Sequence, residues 1–187
     1  PQMFVGTHTS FISFDGFTGP ETPVFAQYDY DYLSLEYDSL SVTSKQQEEI
    51  LNTAYGILQK ELAAGVAGND FSTIEDLFTD DSVVDAKDSY NSYYLDNFAA
   101  SGSRSAVKKL SLNNVTGSFS DFRISNGTIY AEVILSYDYT VDYRKKDWWT
   151  GKYEKETYDG DSSTRYYLQY QDGNWKLSSS SFPSNHY

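Results

Sequence analysis

The sequence predicts an α+β fold in which N-terminal helices pack into a curved antiparallel sheet. Residues 44–98 repeat apolar side chains at the spacing of an amphipathic helix, whereas residues 107–182 alternate apolar and polar side chains between turn signals. Helices followed by strands are typical of α+β domains. Because a strand-like segment comes first, we predict a β-strand appendage, or part of a β-domain, over residues 1–42 and one α+β domain over residues 43–187.

The first 42 residues carry strand and turn signals without a helical period. Val24 to Tyr32 alternates apolar or aromatic side chains with polar ones, and Asp15-Gly16 and Pro20 mark turns. A segment with so few aliphatic residues has a poor core of its own, so we expect it to pack on the domain that follows.

A long helix is predicted to begin at Ser44. Ser44 and Gln47 have the spacing of a capping box, in which each side chain satisfies the other residue's backbone N–H. Apolar residues then recur every four positions from Ile50 to Leu62, and Gly65 and Gly68 end the helix. Two shorter helical stretches follow, at residues 71–78 and 82–98.

The second half of the sequence, residues 107–182, is predicted to form about four antiparallel strands. Asn126-Gly127 is a strong hairpin signal, and apolar residues fill the odd positions from Ile129 to Tyr143. A strand of that length cannot stay flat in a small domain, so we expect it to bend or bulge. Asp159-Gly160-Asp161 predicts a further turn, and Asp172-Gly173 predicts the last hairpin.

Composition excludes several classes of function. The chain of 187 residues has 14 basic and 27 acidic residues, a net charge of −13, which argues against duplex nucleic acid and anionic membranes as partners. It has no cysteine, and its two histidines, His8 and His186, lie near opposite termini. We therefore predict no metal site, no cofactor and no cysteine or histidine catalysis.

The last predicted hairpin carries the motif Tyr-Tyr-Leu-x-Tyr-x-Asp-Gly-x-Trp-x-Leu, from Tyr166 to Leu177. This motif and the element order resemble the nuclear-transport-factor-2-like (NTF2-like) fold over residues 44–182. It implies a cone in which a curled sheet wraps the first helix and leaves a pocket at its wide end. Tyr55, Tyr90 and Tyr93 are the ligand-binding candidates that this pocket implies.

A second resemblance lies in the N-terminal segment. Phe14 to Phe17 and Tyr28 to Leu33 are similar to a pattern in extracytoplasmic β-domains of the TcaA-like proteins of Gram-positive bacteria, where such domains precede an NTF2-like domain. The chain departs from that pattern at Pro20 to Pro23. The resemblance implies a wall-facing location in the cell envelope, with an anchoring membrane segment upstream of residue 1.

The most unusual stretch of the sequence is a basic and aromatic hairpin. It places four basic residues beside two tryptophans in a very acidic chain: Arg144, Lys145, Lys146, Trp148, Trp149 and Lys152. Cations pair with phosphate and indole rings stack on sugars, so one interpretation is a site for an anionic cell-wall polymer such as teichoic acid. The other is a turn whose tryptophans pack on the cone rim and whose charges pair with Glu154 and Glu156.

Two acidic pairs are weaker candidates for a cation site. Asp159-Gly160-Asp161 begins like a calcium loop, but Tyr170 stands where an EF-hand needs a bidentate carboxylate. Asp29 and Asp31 share one face of a predicted strand. A hairpin turn and a solvated strand face explain these pairs more simply.

Catalysis by proton transfer would need a carboxylate facing a tyrosine inside the cone. The alternation places Glu132, Asp138 and Asp142 on the outer face of the long strand, and Asp88 remains as a helical candidate. We therefore predict a non-catalytic envelope module that binds or senses a cell-wall component or an envelope protein.

Two alternatives remain open. One is an NTF2-like isomerase or dehydratase. The other is a structural module that forms a homodimer through the sheet face, for which Ile134 and the outward-facing Tyr130 and Tyr167 are candidates.

Overall fold

The computed structural model describes the backbone of residues 3–7, 11–14, 17–20 and 24–27, and describes residues 44–98 and 106–183 in full. Both histidines, the aspartate pair Asp29 and Asp31, and the tyrosines of residues 28–32 lie outside the described residues, as does Gly102. The predicted boundary at residue 42 also lies outside them and stays a prediction.

Helical elements make up most of residues 44–97. The two α-helices are α1 (Ser44–Ala67) and α2 (Val83–Ser89). Two 3₁₀ turns, Phe71–Thr73 and Glu75–Leu77, connect them, and α2 continues as a π-helical turn, Tyr90–Tyr94, and a 3₁₀ turn, Leu95–Asn97. The helical stretches predicted at residues 71–78 and 82–98 are therefore present, with tighter and wider turns in place of regular α-helix.

In the described parts of the chain, eight strands form one sheet. They are β1 (Met3–Thr7), β2 (Phe11–Phe14), β3 (Phe17–Pro20), β4 (Val24–Gln27), β5 (Ala106–Ser125), β6 (Thr128–Lys146), β7 (Tyr153–Gln171) and β8 (Asn174–Leu177). The last four form an antiparallel sheet in chain order, which confirms the α+β prediction. Among the first four, β1 pairs antiparallel with β4 and β5, and β2 pairs with β3, which lies parallel to β5.

Helix α1 is buried on most of its circumference. Leu51, Leu58 and Leu62 are fully buried, in keeping with the predicted apolar stripe. The helix ends where Gly68 adopts a φ of 67° and the Asn69 N–H donates to the Ala64 carbonyl. The predicted capping box does not form. Gln47 is buried, and its Oε1 accepts no hydrogen bond from any described residue.

The hairpin between β5 and β6 turns at Asn126 and Gly127, which have φ values of 50° and 78°. The predicted alternation on β6 is confirmed, because odd positions from Ala131 to Val141 are buried. The expected bulges lie in β5 instead. Three register shifts there each give β5 one extra residue against a continuous β6.

The turn predicted at Asp159-Gly160-Asp161 is wrong, because β7 runs through it without interruption. Gly160 instead allows two tyrosine side chains to pack closely against the strand. A Cβ atom at this position would lie 2.6 Å from the hydroxyl oxygen of Tyr139 and 2.8 Å from the ring of Tyr158. A glycine inside a strand thus lets an aromatic side chain approach the backbone.

The helices cover one face of the sheet, and an aromatic cluster lies between the helical segment and Phe182, in the segment that follows β8. Tyr94 stacks on Phe182 with ring centroids 4.7 Å apart and meets Phe98 edge-on at 5.1 Å. The opposite face is a polar ladder, in which Asn114 donates to Asp138 and Thr140 donates to Asp159. Within the described parts of the chain, no helix is both long and apolar enough to cross a lipid bilayer.

Candidate functional site

The loop between β6 and β7 is a tight, internally bonded turn. The Asp147 carboxylate accepts hydrogen bonds from the backbone N–H groups of Trp149 and Thr150, at 2.8 and 2.9 Å. These bonds lower the pKa of Asp147, with Thr150 the larger contributor. The Asp147 N–H donates to the Lys152 carbonyl at 2.8 Å, and Gly151 adopts a φ of 65°. The turn therefore holds the tip of the hairpin in one backbone conformation.

Both tryptophans of this tip face solvent. The side chains of Trp148 and Trp149 are 76% and 79% exposed, and their ring centroids are 4.1 Å apart. The simpler interpretation of this stretch placed both tryptophans against the rim of the domain. The exposure of their side chains contradicts it. Two adjoining indoles left in water form an apolar surface of a kind that commonly marks a binding site.

The basic residues of the hairpin are only partly neutralised. Lys145 lies 3.9 Å from Glu156, and Lys155 lies 3.0 Å from Asp142. The first is an exposed pair of small energetic value, whereas the Asp142 side chain of the second is only 19% exposed. By contrast, three of the predicted site residues form no ion pair with any described residue: Arg144, Lys146 and Lys152. Lys146 lies 6.0 Å from the ring centroid of Tyr153, which is itself exposed.

Two more lysines join this surface that the sequence analysis did not include. Lys108 and Lys109 are exposed at the start of β5, where Ala106 pairs with Arg144 and Lys109 pairs with Asp142. We call the resulting surface the basic end of the sheet. It comprises residues 106–109 and 142–157, with seven basic and four acidic residues.

The structure separates the three tyrosines that were predicted to share a pocket. Tyr55 is buried. Burial raises the pKa of its phenol, and a hydrogen bond with Gln59 partly offsets that rise. Tyr90 is also buried and donates to the Asn69 carbonyl at 2.8 Å. Tyr93, in the same π-helical turn as Tyr90, is 75% exposed. The three therefore do not line one open surface.

A buried carboxylate is the feature that the sequence analysis missed. Glu61 lies on α1 and is 0% exposed, and the hydroxyl of Tyr166 donates to its Oε2 at 2.5 Å. Burial raises the pKa of Glu61 to about 8, and the hydrogen bond from Tyr166 opposes that rise. Its Oε1 has no hydrogen-bond partner among the described residues.

The Glu61 and Tyr166 pair has the donor and acceptor types that proton transfer needs, but both side chains are 0% exposed. Three surface clefts of 540 to 560 Å³ are lined by other residues. Asp88, the helical carboxylate considered from the sequence, faces solvent. No group of three or more acidic, histidine or cysteine side chains in the described ranges is arranged to hold a metal ion.

None of the protein-family models, curated proteins or solved structures with which the chain was compared matches it.

Proposed function

We propose that this protein is a non-catalytic binding module whose basic end, with the Trp148 and Trp149 pair at its tip, binds an anionic glycopolymer. The observation that carries the proposal is the exposure of both indoles beside cations without ion-pair partners in the described structure. Indole faces stack on sugar rings, and guanidinium and ammonium groups pair with phosphate.

The charge distribution supports this class of ligand. The basic end carries seven of the 14 basic residues, which leaves seven basic and 23 acidic residues for the rest of the chain. A polyanion is therefore attracted at one end of the molecule and repelled elsewhere. Such binding has to weaken as salt screens the charges.

We further propose that the helices and the curved sheet form an NTF2-like cone and that the chain works in a Gram-positive cell envelope. The cone is supported by the long β5–β7 strands with helices on one face, and the location is supported by the two sequence resemblances. A cell-wall polymer with phosphate groups would then be the available ligand. We interpret the Glu61 and Tyr166 pair as part of the interior, because neither side chain reaches solvent.

Binding is tested by titrating the full chain with purified wall teichoic acid and with peptidoglycan fragments, in low and in high salt. Tryptophan fluorescence reports on the tip, because two of the three tryptophans lie there. We expect a saturable change with teichoic acid that weakens in high salt. A Trp175→Phe variant, which keeps both tip indoles, should give the same change.

The Trp148→Ala/Trp149→Ala variant lacks the reporting groups, so its binding is measured by calorimetry. We expect affinity to fall by about tenfold or more, since exposed aromatic anchors dominate such interfaces. A Lys145→Gln/Lys146→Gln variant should bind more weakly than a Lys87→Gln/Lys176→Gln variant of equal net charge. Equal affinity of the two charge variants, or undiminished binding by the tryptophan variant, would show that the basic end is not the site.

A further inference from the structure

A second surface with binding chemistry lies at the opposite end of β6. It is a groove of about 560 Å³ between the residues that lead into α2 and the segment that follows β8. Ala131 of β6 and Leu168 of β7, which pair with each other across the sheet, are among its lining residues. Tyr130 of this groove lies 16 positions before Lys146, so the two surfaces are separated by at most about 50 Å along the strand.

Hydrogen bonds fix both walls of the groove. On one side, the Ser82 hydroxyl donates to the Leu177 carbonyl at 2.9 Å, and the Thr79 N–H donates to the same carbonyl at 2.9 Å. On the other, the Ser178 N–H donates to the Tyr167 carbonyl at 2.9 Å. The walls are therefore held in place before any ligand binds, which lowers the entropic penalty of binding.

The rim of the groove combines a cation with aromatic rings. The Arg123 guanidinium lies 5.3 Å from the ring centroid of Tyr130, its partner across the β5–β6 pair, and Arg123 forms no ion pair with any described residue. Tyr167, on β7, is 43% exposed and also lines the groove. A guanidinium that lies near an aromatic ring through cation–π attraction still has N–H donors for a planar anion such as a carboxylate.

The remaining lining is rich in hydroxyl and carboxylate oxygens. Ser179, Ser180 and Ser181 line one wall, and Asp81 and Asp85 line the other. Carboxylates and serine hydroxyls accept hydrogen bonds from the hydroxyl groups of a ligand, while tyrosine offers an apolar face for its ring. A complementary ligand therefore has many hydroxyl groups for the oxygen-rich walls, a flat apolar face for the tyrosine and one anionic group for Arg123.

We propose that this groove is a second binding site, specific for an acidic saccharide whose carboxylate pairs with Arg123 and whose ring lies on Tyr167. The site is separate from the basic end and does not depend on the proposed function of the hairpin. Asp81 and Asp85 bind sugar hydroxyl groups and disfavour a ligand that offers several anionic groups to the same wall.

Three sugars with the same ring test this assignment: glucuronic acid, glucose and glucosamine, which are anionic, neutral and cationic. Each is added to isotope-labelled full-length protein at up to about 20 mM, above the weak dissociation constants that monosaccharides show. Amide chemical shifts give both the affinity and the site. We expect glucuronic acid to shift the amides of Arg123, Tyr167 and Ser179, and to bind about tenfold more tightly than glucose.

Matched variants identify the groups responsible. Arg123→Gln should abolish the preference for glucuronic acid over glucose, whereas Arg165→Gln, on the same sheet outside the groove, should keep it. Tyr167→Ala should weaken both sugars, and Tyr158→Ala, an equally exposed tyrosine of β7, should weaken neither. Both control side chains lie outside the groove lining.

Several results would overturn the proposal. These are the absence of shifts with any sugar, a preference for glucosamine, or an unchanged preference in Arg123→Gln. The Trp148→Ala/Trp149→Ala variant should bind glucuronic acid as the wild type does. Loss of that binding would show that glucuronic acid binds at the basic end. Retention would show that the groove binds it independently of the proposed function of the basic end.

Discussion

Replacing Glu61 by glutamine should remove a pH dependence from the free energy of unfolding. In the folded protein, burial raises the pKa of Glu61 to about 8 from an ordinary value of 4.5. The unfolded chain then holds this proton less tightly than the folded chain does. The contribution of Glu61 is therefore fully present below about pH 4.5 and is lost progressively as the pH rises to about 8.

The size of the effect follows from the two pKa values. Each pH unit between them changes the free energy of unfolding by about 1.4 kcal/mol. Between about pH 5.5 and pH 7.5, the wild type should lose about 2.5 kcal/mol through this group alone. Tyr166 and Tyr137 stay protonated because burial, the larger cause for each, raises their pKa above the usual value of 10.

Urea unfolding at the two pH values, followed by circular dichroism, measures the effect. The comparison of interest is the difference between wild type and Glu61→Gln, because contributions from other groups, including both histidines, cancel in it. We expect that difference to grow by about 2.5 kcal/mol towards the higher pH. Glu75→Gln, which alters an exposed carboxylate, should run parallel to the wild type. A parallel profile for Glu61→Gln would refute the assignment of a protonated interior carboxyl group.

Two further substitutions test the packing of the fold. Gly160→Ala should lower the free energy of unfolding by about 1–3 kcal/mol, because the new methyl group would lie 2.6 Å from the Tyr139 hydroxyl oxygen; an unchanged urea midpoint would contradict the packing role of this glycine. Ser82→Ala should lower it by about 1 kcal/mol through loss of the 2.9 Å bond to the Leu177 carbonyl. Ser180→Ala, on the partly exposed wall, serves as its control and should change stability less.

The strand pattern of β6 could be predicted because one physical constraint decides it. Side chains alternate between the two faces of a strand, and helices cover only one face, so burial has to follow the odd positions from Ala131 to Val141. The placement of Asp138 and Asp142 on the other face follows from the same constraint. No knowledge of tertiary contacts was needed.

The uninterrupted course of β7 could not be predicted, because the reason for Gly160 lies on a neighbouring strand. Aspartate and glycine in succession usually mark a turn. Here the glycine makes room for Tyr139, which pairs with it from β6. The residues next to Gly160 in the sequence reveal its tendency to form turns. They do not reveal that a side chain from a neighbouring strand packs against it.

The position of the β5 lysines beside the basic hairpin could have been predicted from the sequence. Counting outward from the turn at Asn126-Gly127 pairs residue 125 with 128, and so brings Lys108 and Lys109 beside Arg144. The three bulges move this register by only a few residues. Glu61 was harder to find, because a long helix usually exposes its charged residues. It follows Ile57 by four positions and Leu58 by three, which places it on the apolar side.

The two ends of β6 thus differ in the chemistry that they offer. At the basic end, exposed indoles and cations without an ion-pair partner in the described structure suit a ligand that carries many anionic groups, whereas the groove at the other end is lined by one such cation and by two aspartates. A polyanion attracted to the first surface is therefore disfavoured at the second, and a short acidic sugar is suited to the groove. If both ligands belong to one polymer network, a single chain could hold two points of it at most about 50 Å apart. The gain in avidity would then depend on whether the polymer spans that distance, and would be lost in either the Trp148→Ala/Trp149→Ala or the Arg123→Gln variant.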